Sequence, residues 1–201
     1  GRPKVASARD TLAGVNPETR VEMIASRVAG DELDQLVARA DVVIDGCDNF
    51  ATRHAVNRAC VKPKKALVSG AGVRFDGQVA VFDMRDATAP CYACLFPEDT
   101  QSEEMRCAVM GVFAPLTGII GCIQAAEALK VLTGAGEILS GKLLLIDALT
   151  MDIRTIRLKQ DPRCAICKIR AMRARARTLP RLAYCYDVIS SESPPPWAAA
   201  P

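Results

Sequence analysis

Two short, largely apolar runs separated by a helical stretch most strongly constrain the fold of this chain. The runs are residues 42–44 and 66–69, and the stretch between them, residues 49–60, is closed by Pro63. A short strand that is apolar on both faces is typical of a parallel sheet covered by helices. Because helices and strands also alternate before this stretch, the sequence predicts an α/β fold with a mostly parallel, doubly wound sheet, helices on both faces and right-handed crossovers.

The N-terminal part supplies that earlier alternation. Helical spacing predicts a helix over residues 3–15, which Asn16 and Pro17 end. Residues 20–25 alternate as a half-buried strand does. Asp31 is a candidate cap for a helix that continues to residue 40.

The second half of the chain has a different pattern. Within residues 74–83, "RFDGQVAVFD", the Asp76-Gly77 pair predicts a hairpin turn, so an antiparallel part follows the parallel one. Residues 114–134 predict one long helix that is apolar around most of its circumference, which indicates a central or interface position. Residues 142–146 and 151–158 predict two closing strands.

Composition favours a globular protein, since 50% of the 201 residues are hydrophobic and the mean hydropathy is +0.12. We find no run of the roughly 18 apolar residues that cross a bilayer and no signal-peptide pattern, so we expect a cytoplasmic protein with no membrane partner.

The charge of the chain is concentrated at its end. The net charge is +3, while residues 168–201 carry six cationic and two acidic side chains. The body, residues 1–167, is therefore close to neutral, which predicts no nucleic-acid partner. The basic, then Pro- and Ala-rich tail, residues 168–201, is predicted to be disordered.

Polar side chains follow the predicted strand at residues 42–44, the position where open α/β sheets bind ligands. Asp48 and Asn49 stand at the start of the next helix, where either can serve only as a cap. A carboxylate there can equally hold Mg²⁺ opposite a triphosphate. Arg53 could steer an anion or pair with Asp48, although a solvated or ion-paired role is commoner for arginine.

Two C-x-x-C pairs stand out among the nine cysteines. The pairs are Cys91 with Cys94 and Cys164 with Cys167, and four thiolates can close a tetrahedral Zn²⁺ shell. Two separate redox dithiols are the less favoured alternative. Far more residues separate the pairs than the roughly 15 to 20 of a compact zinc ribbon, so the metal would fasten the chain end to its middle in a structural role.

The remaining cysteines and the histidine give weaker signals. Cys107, beside an arginine in a stretch without clear period, is either a reactive nucleophile or a plain loop cysteine. Cys47, Cys60 and Cys122 are interpreted as small core residues. His54, the only histidine, is interpreted as a helix-surface or structural residue rather than a base.

Six segments together resemble the ThiF/MoeB/HesA family and cover nearly all of residues 1–167 in order. They are "GRPKVASARDTL", "DVVIDGCDNFATRHAVNRAC", "LVSGAGVRFDGQVAVFD", "PCYACLFPE", "GVFAPLTGIIGCIQAAEALKVLTG" and "CAIC". Family members, relatives of ubiquitin-activating enzymes, use ATP and Mg²⁺ to adenylate the C-terminal glycine of a ubiquitin-like sulfur-carrier protein. The resemblance implies a Rossmann-like domain over residues 1–167, a homodimer, and a role in molybdopterin or thiazole biosynthesis.

The resemblance also implies roles for individual residues. Lys4 would contact the ATP phosphates, Asp48 would position Mg²⁺ and the triphosphate, and Asn49 would be its neighbour in the nucleotide site. Cys107 falls near a cysteine that takes part in sulfur transfer in some members. The zinc thiolates of the family fall on Cys91, Cys94, Cys164 and Cys167.

In the family, the glycine-rich phosphate loop, the acidic residue that binds the ribose and an arginine that approaches the phosphates all precede the stretch that matches Gly1. We therefore expect this chain to be a piece of a longer protein, because a Rossmann-like site relies on that loop's backbone N–H groups. A non-catalytic, zinc-stabilised module for carrier docking and dimerisation is the second hypothesis. A nucleic-acid binder is the third. It rests only on the Arg-rich residues 168–181, and the lack of interleaved aromatic residues there argues against it.

Overall fold

The computed structural model describes residues 1–98, 110–167 and 182–185, the last of these as backbone only. The chain divides into two compact units, one containing Gly1–Val28 and the other spanning Ala29–Tyr186. Cys107 and nearly all of the predicted tail lie outside the described residues.

The first unit contains helix α1, Lys4–Val15, which confirms the predicted helix. It ends at Asn16, whose backbone N–H donates to the Leu12 carbonyl at 2.8 Å. The strand predicted at residues 20–25 is wrong, because these residues form irregular structure. Met23 is 38% exposed, so the alternating pattern has no buried face to occupy.

The second unit is built on a six-stranded sheet with the strand order β5-β4-β3-β2-β1-β6. The strands are β1 Val42–Asp45, β2 Ala66–Val73, β3 Asp76–Asp83, β4 Lys142–Asp147, β5 Asp152–Arg157 and β6 Leu182–Cys185.

Strand β1 pairs in parallel with β2 and β6, whereas β2–β3, β3–β4 and β4–β5 are antiparallel. The described sheet is therefore mixed rather than mostly parallel, and that part of the prediction is wrong. Three antiparallel strand pairs, two of them hairpins, outnumber the two parallel pairs. Strand β6 lies within the predicted tail and pairs with β1.

The β2–β3 hairpin turns two residues earlier than predicted. Val73 pairs with Asp76 and Gly72 with Gly77, so Arg74 and the next residue form the turn. Arg74 takes a left-handed φ of 52°. Gly77 is needed for another reason: a Cβ there would lie 2.9 Å from the Leu116 side chain.

The described residues of the second unit form four helices: α2 Gly30–Arg39, α3 Phe50–Val61, α4 Tyr92–Leu95 and α5 Ala114–Thr133. Helix α2 is capped by Ala29 rather than Asp31, which lies in the first turn, where its charge favours the helix dipole. Helix α5 ends as predicted at Gly134, with a left-handed φ of 72°.

Helices cover both faces of the sheet. Helix α5 packs on one face over a core that includes Ile44, Val68 and Val81. The side chain of Arg53, on α3, instead contacts Asp45 and the β2 residue that follows Val68. Because successive side chains of a strand point to opposite faces, α3 lies on the face opposite α5.

Helix α5 is long and apolar enough, by length and composition, to cross a bilayer, with 20 residues and a mean hydropathy of 1.3. The expectation that no run approaches this length is therefore corrected. The finding is weak evidence for a membrane span, because core helices pass the same test. Its buried side chains include the polar Gln124 and Glu127.

Candidate functional site

A buried ion pair lies at the carboxyl end of β1. The Asp45 carboxylate is fully buried, and its Oδ2 atom accepts hydrogen bonds from Arg53 at 3.1 Å and from Ser69 at 3.0 Å. The second carboxylate oxygen accepts from the Cys47 backbone N–H at 2.9 Å. Every charge-bearing atom of Asp45 is therefore paired.

Arg53 serves four acceptors although its residue is only 6% exposed. Besides Asp45 and Ser69, its guanidinium donates to the Cys47 carbonyl and, at 2.9 Å, to the Gly70 carbonyl. The ion-paired role for Arg53 is confirmed, but the partner is Asp45 rather than Asp48. With its donors directed inward, Arg53 is not available to steer an anion.

Asn49 caps helix α3, since its Oδ1 atom accepts from the Thr52 backbone N–H at 2.8 Å. Asp48 is half-buried, and its carboxylate lies 3.4 Å from the Asn49 amide nitrogen. Among the described residues, Asp48 makes no ion pair. The two acids of this segment therefore differ in their partners. Asp45 is neutralised by Arg53 within the fold, whereas the carboxylate of Asp48 is able to ligate a hard cation.

Helix α5 contributes two features to this edge that sequence reasoning missed. Gln124, only 3% exposed, donates to the Asp45 carbonyl at 2.8 Å and the Val68 carbonyl at 3.2 Å. A Cβ on Gly70 would lie 2.5 Å from the Gln124 side chain and 2.7 Å from Ile120. An amide within an otherwise apolar helix was the signal that could have identified this contact.

The two C-x-x-C pairs meet in space, with all four Sγ atoms within 4.8 Å of one another. The Sγ–Sγ distances are 3.9 Å for Cys91–Cys94, 3.7 Å for Cys91–Cys164 and 3.5 Å for Cys94–Cys167. A tetrahedral Zn²⁺ shell with Zn–S bonds of about 2.3 Å has sulfur–sulfur edges of about 3.8 Å. The donors and their spacing therefore fit zinc, whereas disulfides require about 2.05 Å.

The thiols shift one another's pKa values. A hydrogen bond from Cys91 lowers the pKa of Cys94 to about 5, and the same contact, with burial, raises the pKa of Cys91. Burial raises the pKa of Cys167 to about 11. Crowded thiols cannot all ionise without a compensating charge, which a divalent cation supplies.

An aromatic cluster connects the first cysteine pair to helix α3. The Tyr92 backbone N–H donates to the buried Asn57 side chain at 3.0 Å, and the Tyr92 ring packs edge-on against His54 and Phe82. His54 is buried, and burial lowers its pKa. Its Nδ1 atom is 3.6 Å from Glu98, too far for a hydrogen bond, which supports the structural interpretation of His54.

The other predicted residues divide into three groups. Cys47 and Cys60 are buried as predicted, but Cys122 is exposed on α5, so its assignment to the core is wrong. Lys4 is the first residue of α1 in the first unit, and its role stays a prediction. Cys107 lies outside the described residues.

Comparison with known proteins identifies the class to which this fold and these clusters belong. The ThiF family model matches residues 1–166, and the chain belongs to the ThiF family.

Two curated relatives are similar at the level of sequence. The molybdopterin-synthase adenylyltransferase of Escherichia coli strain K12 is 42% identical over 170 residues, covering 83% of this chain and 66% of the relative. The sulfur carrier protein adenylyltransferase of Thermus thermophilus is 43% identical over 171 residues, covering 83% and 63%. The chain thus spans slightly less than two thirds of the length of these relatives.

Solved structures support the fold. The crystal structure of E. coli MccB with ATP aligns with a TM-score of 0.67 at 20% identity, covering 84% of this chain and 52% of MccB. At this identity the likeness establishes the fold alone.

Proposed function

We propose that the protein containing this chain adenylates the C-terminal glycine of a ubiquitin-like sulfur-carrier protein with ATP. The observation that carries the proposal is the carboxylate of Asp48 at the carboxyl end of β1, in a chain of the ThiF family. The molybdopterin pathway is favoured over the thiazole pathway, because the similar E. coli relative is named a molybdopterin-synthase adenylyltransferase. We expect the reaction to take place in the cytoplasm.

The chemistry needs placement and charge compensation rather than a side-chain nucleophile. The carrier's carboxylate attacks the α-phosphorus of ATP, an acyl-adenylate forms and pyrophosphate leaves. Mg²⁺ would neutralise the phosphate charge, and Asp48, with Asn49 beside it, would hold that ion. Lys4 would contact the phosphates, and Cys107 would take part in the later transfer of sulfur.

Zinc at the four cysteines is assigned a structural role. Four thiolates leave no open coordination position for a substrate, which is the arrangement of structural rather than catalytic zinc. The first pair comes from the middle of the second unit and the second pair from the chain that follows β5, so the metal would hold that chain against α4.

A second copy of the chain is the proposed occupant of the exposed face of α5. This face carries the uncharged residues Gly118, Cys122, Ala125 and Leu129, of which Leu129 is 61% exposed. A homodimer would bury it, and Leu129→Glu should then shift the protein from dimer to monomer in sedimentation analysis. A monomeric wild type would contradict this assignment.

The decisive experiment is ATP–pyrophosphate exchange by the purified full-length protein that contains this chain, with and without a carrier protein that ends in Gly-Gly. We expect carrier-dependent exchange that falls by roughly 100-fold or more in Asp48→Ala, because an electrostatic group of the transition state is lost. Asp152→Ala, which removes an exposed acid from β5, is the matched control and should be unchanged. Carrier binding without exchange would favour the non-catalytic docking module instead.

A further inference from the structure

The segment that leads to Asp48 is held in place by one buried arginine. Two of the acceptors of Arg53, the Asp45 carboxylate and the Cys47 carbonyl, belong to this segment, and the other two belong to β2. Arg53, on the helix that follows β1, therefore links the carboxyl end of β1 to the middle of β2.

Both backbone polar groups of Cys47 are engaged in this network. Its N–H donates to Asp45 at 2.9 Å, and its carbonyl accepts from Arg53. That carbonyl belongs to the peptide bond that begins Asp48. Hydrogen bonds to charged groups are the stronger kind, and a planar guanidinium gives them a fixed direction. The position of the Asp48 backbone, from which the side chain projects, thus depends on Arg53.

Tyr92 connects the cysteine cluster to the same arginine. It directly follows Cys91, and its phenol lies close enough to Arg53 and Asp45 for both to affect its pKa. Its backbone N–H is fixed by Asn57, which lies one helical turn after Arg53 on the same face of α3. A displacement of Cys91 and Cys94 would therefore be transmitted to Arg53 through Tyr92.

We propose that Arg53 and Tyr92 are positioning residues for Asp48. Arg53 fixes the backbone from which the Asp48 carboxylate projects, and Tyr92 transmits to Arg53 the position of the cysteine pair. This inference rests on the proposed function for its catalytic meaning, because Asp48 is the group being positioned. The cysteine cluster thereby influences the Asp48 segment without touching a nucleotide.

Amide hydrogen exchange of the full chain, followed by mass spectrometry of peptides spanning residues 46–49, tests the structural step. Arg53→Lys retains the charge but has no planar fork to serve four acceptors, and it should speed exchange at Cys47 and Asp48 by roughly tenfold, about 1.4 kcal/mol of local opening. Tyr92→Phe, which removes only the hydroxyl, should act in the same direction by a smaller factor. Arg58→Lys, on the outer side of the same helix, should have no effect.

The catalytic step is tested by the Mg²⁺ dependence of pyrophosphate exchange. In Tyr92→Phe, the Mg²⁺ concentration for half-maximal exchange should rise by a few-fold while zinc content and melting temperature match the wild type. Unchanged amide exchange at residues 46–49 in both variants would overturn the proposal. So would a change in Tyr92→Phe that appears only together with zinc loss and general destabilisation.

The two proposals fail in distinguishable ways. A wild type without any pyrophosphate exchange would contradict the proposed function, whereas the amide measurement would still decide whether Arg53 and Tyr92 hold the Asp48 segment.

Discussion

The carboxyl end of β1 and the cysteine cluster are both buried and polar, but they balance their polar groups in different ways. At β1, Asp45 and Arg53 neutralise each other and the neighbouring carbonyl groups complete the hydrogen bonding. At the cluster, four thiols face one another at 3.5 to 3.9 Å along the measured edges, with no cationic side chain among the four groups. The first site is neutralised by side chains of the chain itself, whereas the second has the donor set that could hold a metal ion.

The largest effect should come from breaking the cysteine cluster. Cys164→Ser removes one thiolate, so we expect fewer than one zinc per chain and a fall in melting temperature as large as chelation of the wild type produces. Structural zinc sites can contribute on the order of 10 kcal/mol. Zinc content by atomic emission and calorimetry check this.

Cys122→Ser is the matched control, because Cys122 is exposed on α5 and remote in sequence from both pairs. Equal zinc content in the Cys164 variant and the wild type would show that the four-thiolate assignment is wrong.

An intermediate effect should follow from overpacking the region around the carboxyl end of β1. Gly70→Ala places a methyl group against Gln124 and Ile120, so we expect a loss of about 1–3 kcal/mol in the free energy of unfolding. Gly14→Ala lies in open space on α1 and should instead be neutral or stabilising by up to about 1 kcal/mol. Urea denaturation of the two variants would contradict the packing argument if they behaved alike.

The smallest effect sharpens the interpretation of Asn49. Asn49→Ala removes the cap of α3 and should reduce the free energy of unfolding by about 1 kcal/mol, whereas Asn49→Asp keeps a capping oxygen and should reduce it less. Equal stability of all three proteins in urea would mean that the cap contributes little. Comparing their pyrophosphate exchange then separates capping from any role in the nucleotide site.

Much of the fold was predictable because its signals are local. The β1–α3–β2 unit, α1 and α5 follow from apolar periodicity, Pro and Gly, all of which act within a few residues. The strand at residues 20–25 failed because alternation alone does not supply a buried face. The hairpin turn was misplaced because Gly77 is required by close packing on α5 rather than by the turn.

The candidate site was predictable where chemistry is encoded in spacing. The spacing of the C-x-x-C pairs predicted a four-cysteine metal site, and in the structure the four Sγ atoms lie close together. The partner of Arg53 was not predictable, since two acids, Asp45 and Asp48, lie within reach along the sequence. Strand direction and burial decided between them.

The sequence by itself determined helices α1, α2, α3 and α5, the central parallel pair of strands and the two C-x-x-C pairs, because each depends on residues close together in the chain. Only the tertiary structure decided that β6 lies beside β1, that Gln124 donates to carbonyl groups of β1 and β2, and that Tyr92 lies between the cysteine cluster and Arg53. These contacts link residues dozens of positions apart, and their energies depend on which groups are removed from water together.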